Sequence, residues 1–358
     1  MRIAIVCGIC IRFDAISSAV ASQAAILAEL DDVDDVVIVA QYHDRPCASR
    51  QVTVTDPWQL VRHPDIVAAD LVIFHWGIEY ALFDALPLIA ERRRAIVHFH
   101  NVTPAEFVDI TERTRIERSI IQMQLPMLSS TALWTESEFN VETLLSWGFR
   151  NTDITLMPIP VESRRATMSD KSLADGVQLL TIGRLVPAKG LGVLIDAMAL
   201  AIDQFDGRMT LEIAGSASSR NLPYVEDLER ARERLGLADV IEFVIDPPDV
   251  QVEAMLARSH VLISPSLHEG LCVPVIEAYR ASCRVVATDA GNLPFLVHPP
   301  DRIVPVLDHV SLAGAIVETA REVMNGPTSM SDTVRDVISM YSEGNVRVQL
   351  RAALDAFA

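Results

Sequence analysis

Short apolar runs alternate with amphipathic stretches along most of this chain, and that alternation limits the fold more than any other feature. "RIAIV" (2–6), "DVVIVA" (35–40), "DLVIFHWG" (70–77), "AIVHFHN" (95–101) and "TALWTES" (131–137) read as strands. Stretches of helical period lie between them, among them 15–30 and 138–149. Apolar strands alternating with helices imply a parallel sheet covered on both faces, because each crossover lays a helix over the sheet. The pattern breaks over 157–176, "MPIPVESRRATMSDKSLADG", where prolines and then polar residues without period mark a linker. It restarts with strands at 177–185, 209–215, 240–245, 260–266 and 283–291 and helices at 191–205, 224–236, 250–259 and 274–282. Terminal helices follow at 311–325 and 333–357. The expected fold class is α/β, with two doubly wound domains facing across a cleft. Ligand sites in such sheets fall at the carboxyl ends of the strands. The expected boundaries are a first domain at 1–160, a linker at 161–176, a second domain at 177–332 and a C-terminal helix at 333–358.

Charge and composition remove several function classes. With 358 residues, half of them hydrophobic, the chain can bury two cores. A net charge of −18 argues against a general nucleic-acid binder. No apolar run reaches the length of a membrane span, so a cytoplasmic location is expected, with peripheral membrane contact left open. "MRIAIVCGIC" lacks a small-residue cleavage site and reads as a first strand. Arg92, Arg93 and Arg94 read as a solvated helix end. Five cysteines at irregular spacing do not form a disulfide framework. Cys7 and Cys10 make a CxxC; a redox pair would open a helix, whereas the plainer reading is small residues at a strand end. "DDVDD" (31–35) follows a helix and precedes a strand, so it reads as a solvated turn rather than a metal cage. No metal site is expected.

Two stretches carry chemistry. In "SPSLHEGLCVPVIEA" (264–278), a loop leaves the carboxyl end of a strand, and Pro274 suits the first turn of the next helix. Backbone amides near Gly270, Leu271 and Cys272 precede that helix. Glu269 stands at the loop mouth and Glu277 is expected in the first helical turn, two carboxylates that suit a ligand with two sets of hydroxyls. The structural reading beside it is one glutamate favoured by the helix dipole and one on the surface. In "TIGRLVPAKGLGVLIDAM" (181–198), a strand ends at Gly183, and Arg184 and Lys189 stand five apart before a helix. Two cations at a strand end beside a helix start suit a diphosphate. The chain has only two lysines, Lys171 and Lys189, and one of them lies here.

"GRLVPAKG" followed by "HEGLCVPVIEA" resembles the retaining nucleotide-sugar glycosyltransferases of family 4, which have the GT-B fold of two Rossmann-like domains. "HNVTPAEF" (100–107) resembles a subgroup from bacterial polysaccharide gene clusters. The resemblance covers most of the chain and is strongest over 177–297. It implies that Arg184 and Lys189, beside Gly183, hold the donor diphosphate. It implies that Glu269, Gly270, Leu271 and Cys272 hold the sugar, that Glu277 holds the ribose, and that His100 faces the donor sugar. His98 shares that strand face and reads as structural. The catalytic set so implied is His100, Arg184, Lys189 and Glu269. The C-terminal helix is expected, by the same resemblance, to return to the first domain. The chain departs from the family in having only Gly8 in "VCGICIRFD" and "IDPPD" around Asp246.

The function expected from the resemblance is a retaining, metal-independent hexosyltransferase. It takes a UDP- or GDP-linked sugar as substrate, needs no cofactor, and serves a glycan, lipid-linked or small-molecule acceptor. Two alternatives stand beside it: a sugar-nucleotide epimerase of the same fold, and a non-catalytic subunit that binds a sugar nucleotide or glycan. The epimerase would need an acid/base set that is not visible, and the four charged residues speak against the non-catalytic subunit. A dinucleotide oxidoreductase is excluded because "CGICIRFDA" lacks GxGxxG.

Overall fold

A computed structural model describes residues 1–12, 14–129, 131–161, 171–326 and 330–356. The chain divides into two units, Met1–Pro160 with Met340–Ala358, and Val161–Ser339. Part of the expected linker, 162–170, lies outside the described residues.

The first unit is built on seven parallel strands: β1 (Arg2–Cys10), β2 (Asp35–His43), β3 (Arg50–Thr53), β4 (Leu71–Trp76), β5 (Arg94–Phe99), β6 (Ala132–Thr135) and β7 (Ile154–Leu156). Their order is β3-β2-β1-β4-β5-β6-β7. The period-2 alternation of a strand sends side chains to two cores. Ala4 and Val6 join Val37, Val72 and Phe74 on one face, while Ile3, Ile5 and Cys7 join Ile38, Ile73 and Trp134 on the other. Both faces are covered, so the strands read as continuous apolar runs. β1 extends to Cys10, which places Cys7 and Cys10 inside a strand, both buried, and not at the opening of a helix as a redox CxxC requires.

The second unit holds β8 (Val177–Ile182), β9 (Met209–Gly215), β10 (Ile241–Ile245), β11 (Val261–Ser264), β12 (Arg284–Thr288) and β13 (Arg302–Val304). Their order is β10-β9-β8-β11-β12-β13, again all parallel. In each sheet the order reverses beside the first strand, between β1 and β4 and between β8 and β11, and such a switch point is where open α/β sheets bind ligands.

The C-terminal segment is two helices, Asp332–Met340 and Glu343–Asp355, where a single one over 333–357 was expected. The break has a cause at each of its residues. Tyr341 is buried and its hydroxyl donates to the Glu136 carbonyl at 3.1 Å, while Ser342 caps the next helix by accepting from Asn345 N–H at 3.3 Å. Glu343–Asp355 then lies in the first unit. It buries Val346, Leu350 and Leu354 with Val20, Ala24 and Leu27 of the helix Ala15–Ala28. Arg351 meets Asp32 of the acidic turn at 2.9 Å.

Candidate active-site edges

In the first unit the three histidines of "FHW" and "HFH" come together at the carboxyl ends of β4 and β5. The ladder pairs His75 with His98, and His100 N–H donates to the Trp76 carbonyl at 2.8 Å. The rings stack: centroids are 5.0 Å apart for His75–His98, 5.0 Å for His75–His100 and 4.6 Å for His98–His100. His75 Nδ1 lies 2.8 Å from His100 Nε2, and His75 Nε2 lies 2.8 Å from Gln23 Oε1. The Gln23 amide nitrogen reaches His98 Nδ1 at 3.3 Å. Glu136 Oε2 sits 3.4 Å from His100 Nδ1 and 3.8 Å from His98 Nε2. Burial, and then the neighbouring imidazoles, hold His75 and His98 well below the usual histidine range, so both rings are neutral.

In the second unit three loops are stitched together over the β8–β11 switch point. After β8, Gly183 N–H donates to the Ala214 carbonyl at 3.0 Å, and a short 3-10 turn, Pro187–Lys189, ends at Gly190. Gly190 has φ +64°, and a Cβ there would fall 2.0 Å from the Pro265 carbonyl oxygen, so this approach requires glycine. Leu267 N–H then donates to the Ala188 carbonyl at 2.8 Å. From the loop after β12, Asn292 N–H donates to the Glu269 carbonyl at 2.9 Å and its amide to the Leu271 carbonyl at 3.2 Å. Gly291, at φ +56°, lies where a Cβ would be 2.1 Å from that Glu269 oxygen.

These contacts bring Lys189 and Glu269 together across eighty residues of sequence. Lys189 Nζ lies 2.5 Å from Glu269 Oε1, and Ser266 Oγ donates to the same oxygen at 2.6 Å. Burial raises the Glu269 carboxyl, but Lys189, Ser266 and His268 more than offset it and hold the group below the ordinary carboxylate range. Gly183, Arg184 and Lys189 line one pocket with Ser264, Ser266 and Pro274. Cys272 is the N-cap of the helix Val273–Arg280 at φ +69°, and burial pushes its thiol up to about 12, so it is inert as a nucleophile.

Residues 176–322 match the family model "Glycosyl transferases group 1". The second unit is therefore similar, over most of its length, to the group 1 glycosyl transferases. Within the curated proteins, D-inositol 3-phosphate glycosyltransferase of Streptomyces scabiei is 31% identical over 142 residues, 38% of this chain and 32% of that one. The same-named protein of Geodermatophilus obscurus is 29% identical over 214 residues, 52% of this chain and 46% of its own. The chain thus spans about a third of the length of the first of these relatives. Whole-chain likeness comes from solved structures. Anabaena Alr3699/HepE in complex with UDP has a TM-score of 0.78 at 17% identity, over 99% of this chain and 100% of that one. Sucrose-phosphate synthase from Thermosynechococcus elongatus has a TM-score of 0.75 at 16% identity, over 100% of both chains. At these identities the likeness shows the fold, which is the two-sheet GT-B arrangement.

Against the residues read from sequence, the second unit gathers Gly183, Arg184, Lys189, Glu269, Gly270, Leu271 and Cys272 on the loops after β8 and β11, with Arg184 exposed and Glu269 buried. Glu277 differs from its expected place. The helix begins at Val273, so Glu277 starts the second turn, and it is buried with Arg280 as its charge neighbour. His100 belongs to the first unit. Its side chain is only 4% exposed, with both ring nitrogens directed at protein groups, Nδ1 to Glu136 and Nε2 to His75. His98 is fully buried. Ser266, Asn292, Gln23, His75 and Glu136 were not singled out from sequence. The histidine-rich strand ends are a signal for Gln23, His75 and Glu136, and the loop around Glu269 for Ser266. Asp246 takes φ +51° just after β10, its N–H donating to the Gly215 carbonyl at 2.9 Å. No helix among the described residues is long and apolar enough to cross a membrane.

Proposed function

We propose that this chain is a retaining, metal-independent glycosyltransferase that moves a sugar from a UDP- or GDP-linked donor to a glycan, lipid-linked or small-molecule acceptor. The observation that carries this reading is the Lys189–Glu269 pair, assembled with Ser266 within the segment that matches the group 1 glycosyl transferases. A lysine ammonium has three donors, of which Glu269 engages one. The others, with Arg184 in the same pocket, suit a diphosphate leaving group. Glu269 and the amides of Gly270, Leu271 and Cys272 would orient the sugar, and Glu277 the ribose. The acceptor attacks on the face from which the diphosphate departs, and the diphosphate helps take its proton. Catalysis then comes from positioning and from stabilising the leaving group's charge. The glycosyltransferase names of the relatives and the complexes of Alr3699/HepE with UDP and with UDP-glucose support a nucleotide-sugar donor over the epimerase and the non-catalytic subunit.

A thermal-shift panel of UDP- and GDP-sugars tests the donor. A ligand present at 100 Kd raises stability by about 2.7 kcal/mol. Transfer by the stabilising donor should persist in excess chelator, because a cationic pair takes the metal's place. No shift with any sugar nucleotide, or loss of activity restored by magnesium or manganese, overturns the reading.

A further inference from the structure

The carboxyl edge of the first unit holds more hydrogen-bonding groups than sugar transfer as described above requires. Following donors and acceptors from Gln23 assigns nearly every ring nitrogen. Gln23 Oε1 can only accept, so His75 Nε2 carries its hydrogen. His75 is neutral, so its Nδ1 accepts, and His100 Nε2 must donate to it at 2.8 Å. The Gln23 amide N–H donates to His98 Nδ1, which leaves the His98 hydrogen on Nε2. This amide orientation is supported at the far end of the chain. His98 Nε2 has no hydrogen-bond partner, and the charged group nearest to it is Glu136 Oε2 at 3.8 Å, an acceptor that favours hydrogen on that nitrogen. The run therefore reads His98, Gln23, His75, His100, each donating to the one before or accepting from it in a fixed sense. At its end, His100 Nδ1 faces Glu136 Oε2 at 3.4 Å. A bare ring nitrogen against a bare carboxylate oxygen is repulsive, and this oxygen has no other hydrogen-bond partner.

We infer that Gln23, His75, His98 and Glu136 are positioning residues for His100, holding its Nε2–H turned inward and one proton between its Nδ1 and Glu136. This rests on the transfer reading for its purpose, but not for its geometry. His100 then has no ring nitrogen left to act as a general acid or base. What it contributes is a fixed orientation and the charge of the shared proton. The ionisable groups acting on this run are His75, His98, His100 and Glu136 themselves, and the Tyr341 hydroxyl fixes the Glu136 backbone from the C-terminal segment. A metal held by the three imidazoles is disfavoured by their stacking. Planes 14° to 33° apart carry their lone pairs in nearly parallel sheets, which cannot converge on one ion.

The test uses the full chain labelled with 15N-histidine and long-range proton–nitrogen spectra, with signals assigned by substitution. His75 and His98 should show hydrogen on Nε2 alone, and His100 should show both ring nitrogens protonated. In Glu136→Gln, whose amide can donate to Nδ1, His100 should convert to the Nε2–H tautomer with His75 and His98 unchanged. With a donor that is turned over, the same variant should lower kcat about ten- to a hundredfold, the worth of one charge-assisted hydrogen bond, with KM changed less than about twofold. If Glu136→Gln does not fold, His75→Asn should move the His100 Nε2 signal instead. A wild-type His100 carrying hydrogen on Nδ1 alone, a metal bound at one per chain, or an unchanged kcat in Glu136→Gln overturns the inference. Absence of any sugar transfer would remove the purpose proposed above, while the nitrogen spectra still decide the relay.

Discussion

The two units share a strand order and differ in what they place at its carboxyl edge. Beside the β1–β4 switch point the first unit sets three stacked imidazoles joined by an amide and a carboxylate, with two of the rings neutral. Beside the β8–β11 switch point the second unit sets an ammonium against a buried carboxylate. The same sheet thus supports two kinds of polar site. One is held by hydrogen bonds whose proton count can be followed, the other by charge. A stack of rings costs little to bury when it is neutral and its hydrogen bonds are made. An ion pair must be matched closely, because the desolvation of each charge is recovered only through its partner.

Removing one partner is the harshest way to break that comparison. Lys189→Ala leaves Glu269 buried beside the Ser266 hydroxyl, a donor that carries no charge. The expected stability loss is about 3–5 kcal/mol for a buried charge left uncompensated. kcat/KM should fall by about 10²–10³ on loss of a charge-stabilising donor. Combining Lys189→Met with Glu269→Gln should return much of the stability and none of the activity. Urea unfolding and steady-state kinetics read the two effects separately. Wild-type turnover in Lys189→Ala would remove the diphosphate role.

The parts of this arrangement that could be read from sequence are those that local pattern controls. The apolar runs located most strands because strands buried on both faces leave no polar residue to confuse the pattern. β3, β7 and β13 were missed. They are three or four residues long and largely not buried, too short to show a period. Lys189 and Glu269 were each visible in a motif, but their contact is not a local property. It depends on Gly190 passing Pro265 and on Leu267 reaching Ala188 across the sheet. Glu277 differs by a single position, because the left-handed cap at Cys272 starts the helix at Val273, one residue before the expected Pro274. The histidine run was hidden for a similar reason. His75 and His98 are partners through β-sheet register, and Gln23 comes from a helix that gives no signal of its own.

A smaller effect divides labour within the charged edge. Glu277→Gln keeps shape and one acceptor while removing the charge. It should weaken nucleoside diphosphate as well as donor, by about 1.5–3 kcal/mol. Glu269→Gln should leave the sugar-free diphosphate nearly as tight and lower kcat, because the reacting sugar loses its alignment. Calorimetry with the diphosphate alone makes the comparison. Equal weakening by both substitutions would mean that the two carboxylates serve one part of the donor.

The gentlest test changes only pH, and it should strike the two edges in different ranges. His75 and His98 have folded values below the usual 6.5. As pH falls past about 6.5 the unfolded chain takes up protons that the folded rings refuse, so the stability these sites contribute is full above that point and drains away below it. Glu269 has a folded value below its usual 4.5. Its contribution is full above about 4.5 and is lost as pH falls through the folded value. Each group then costs at most about 1.4 kcal/mol per pH unit. The first unit should therefore begin to weaken roughly two pH units before the charged edge of the second does. All four tryptophans, Trp58, Trp76, Trp134 and Trp147, lie in the first unit, so their fluorescence in urea reports it alone. Hydrogen exchange of β8 and β11, corrected for its intrinsic pH dependence, reports the second. His75→Gln should flatten the first unit's response between pH 6.5 and 5 and leave the second unit's unchanged. If both units weaken together from about pH 4.5, the rings are not held neutral in the fold, and the contrast between the two edges is lost.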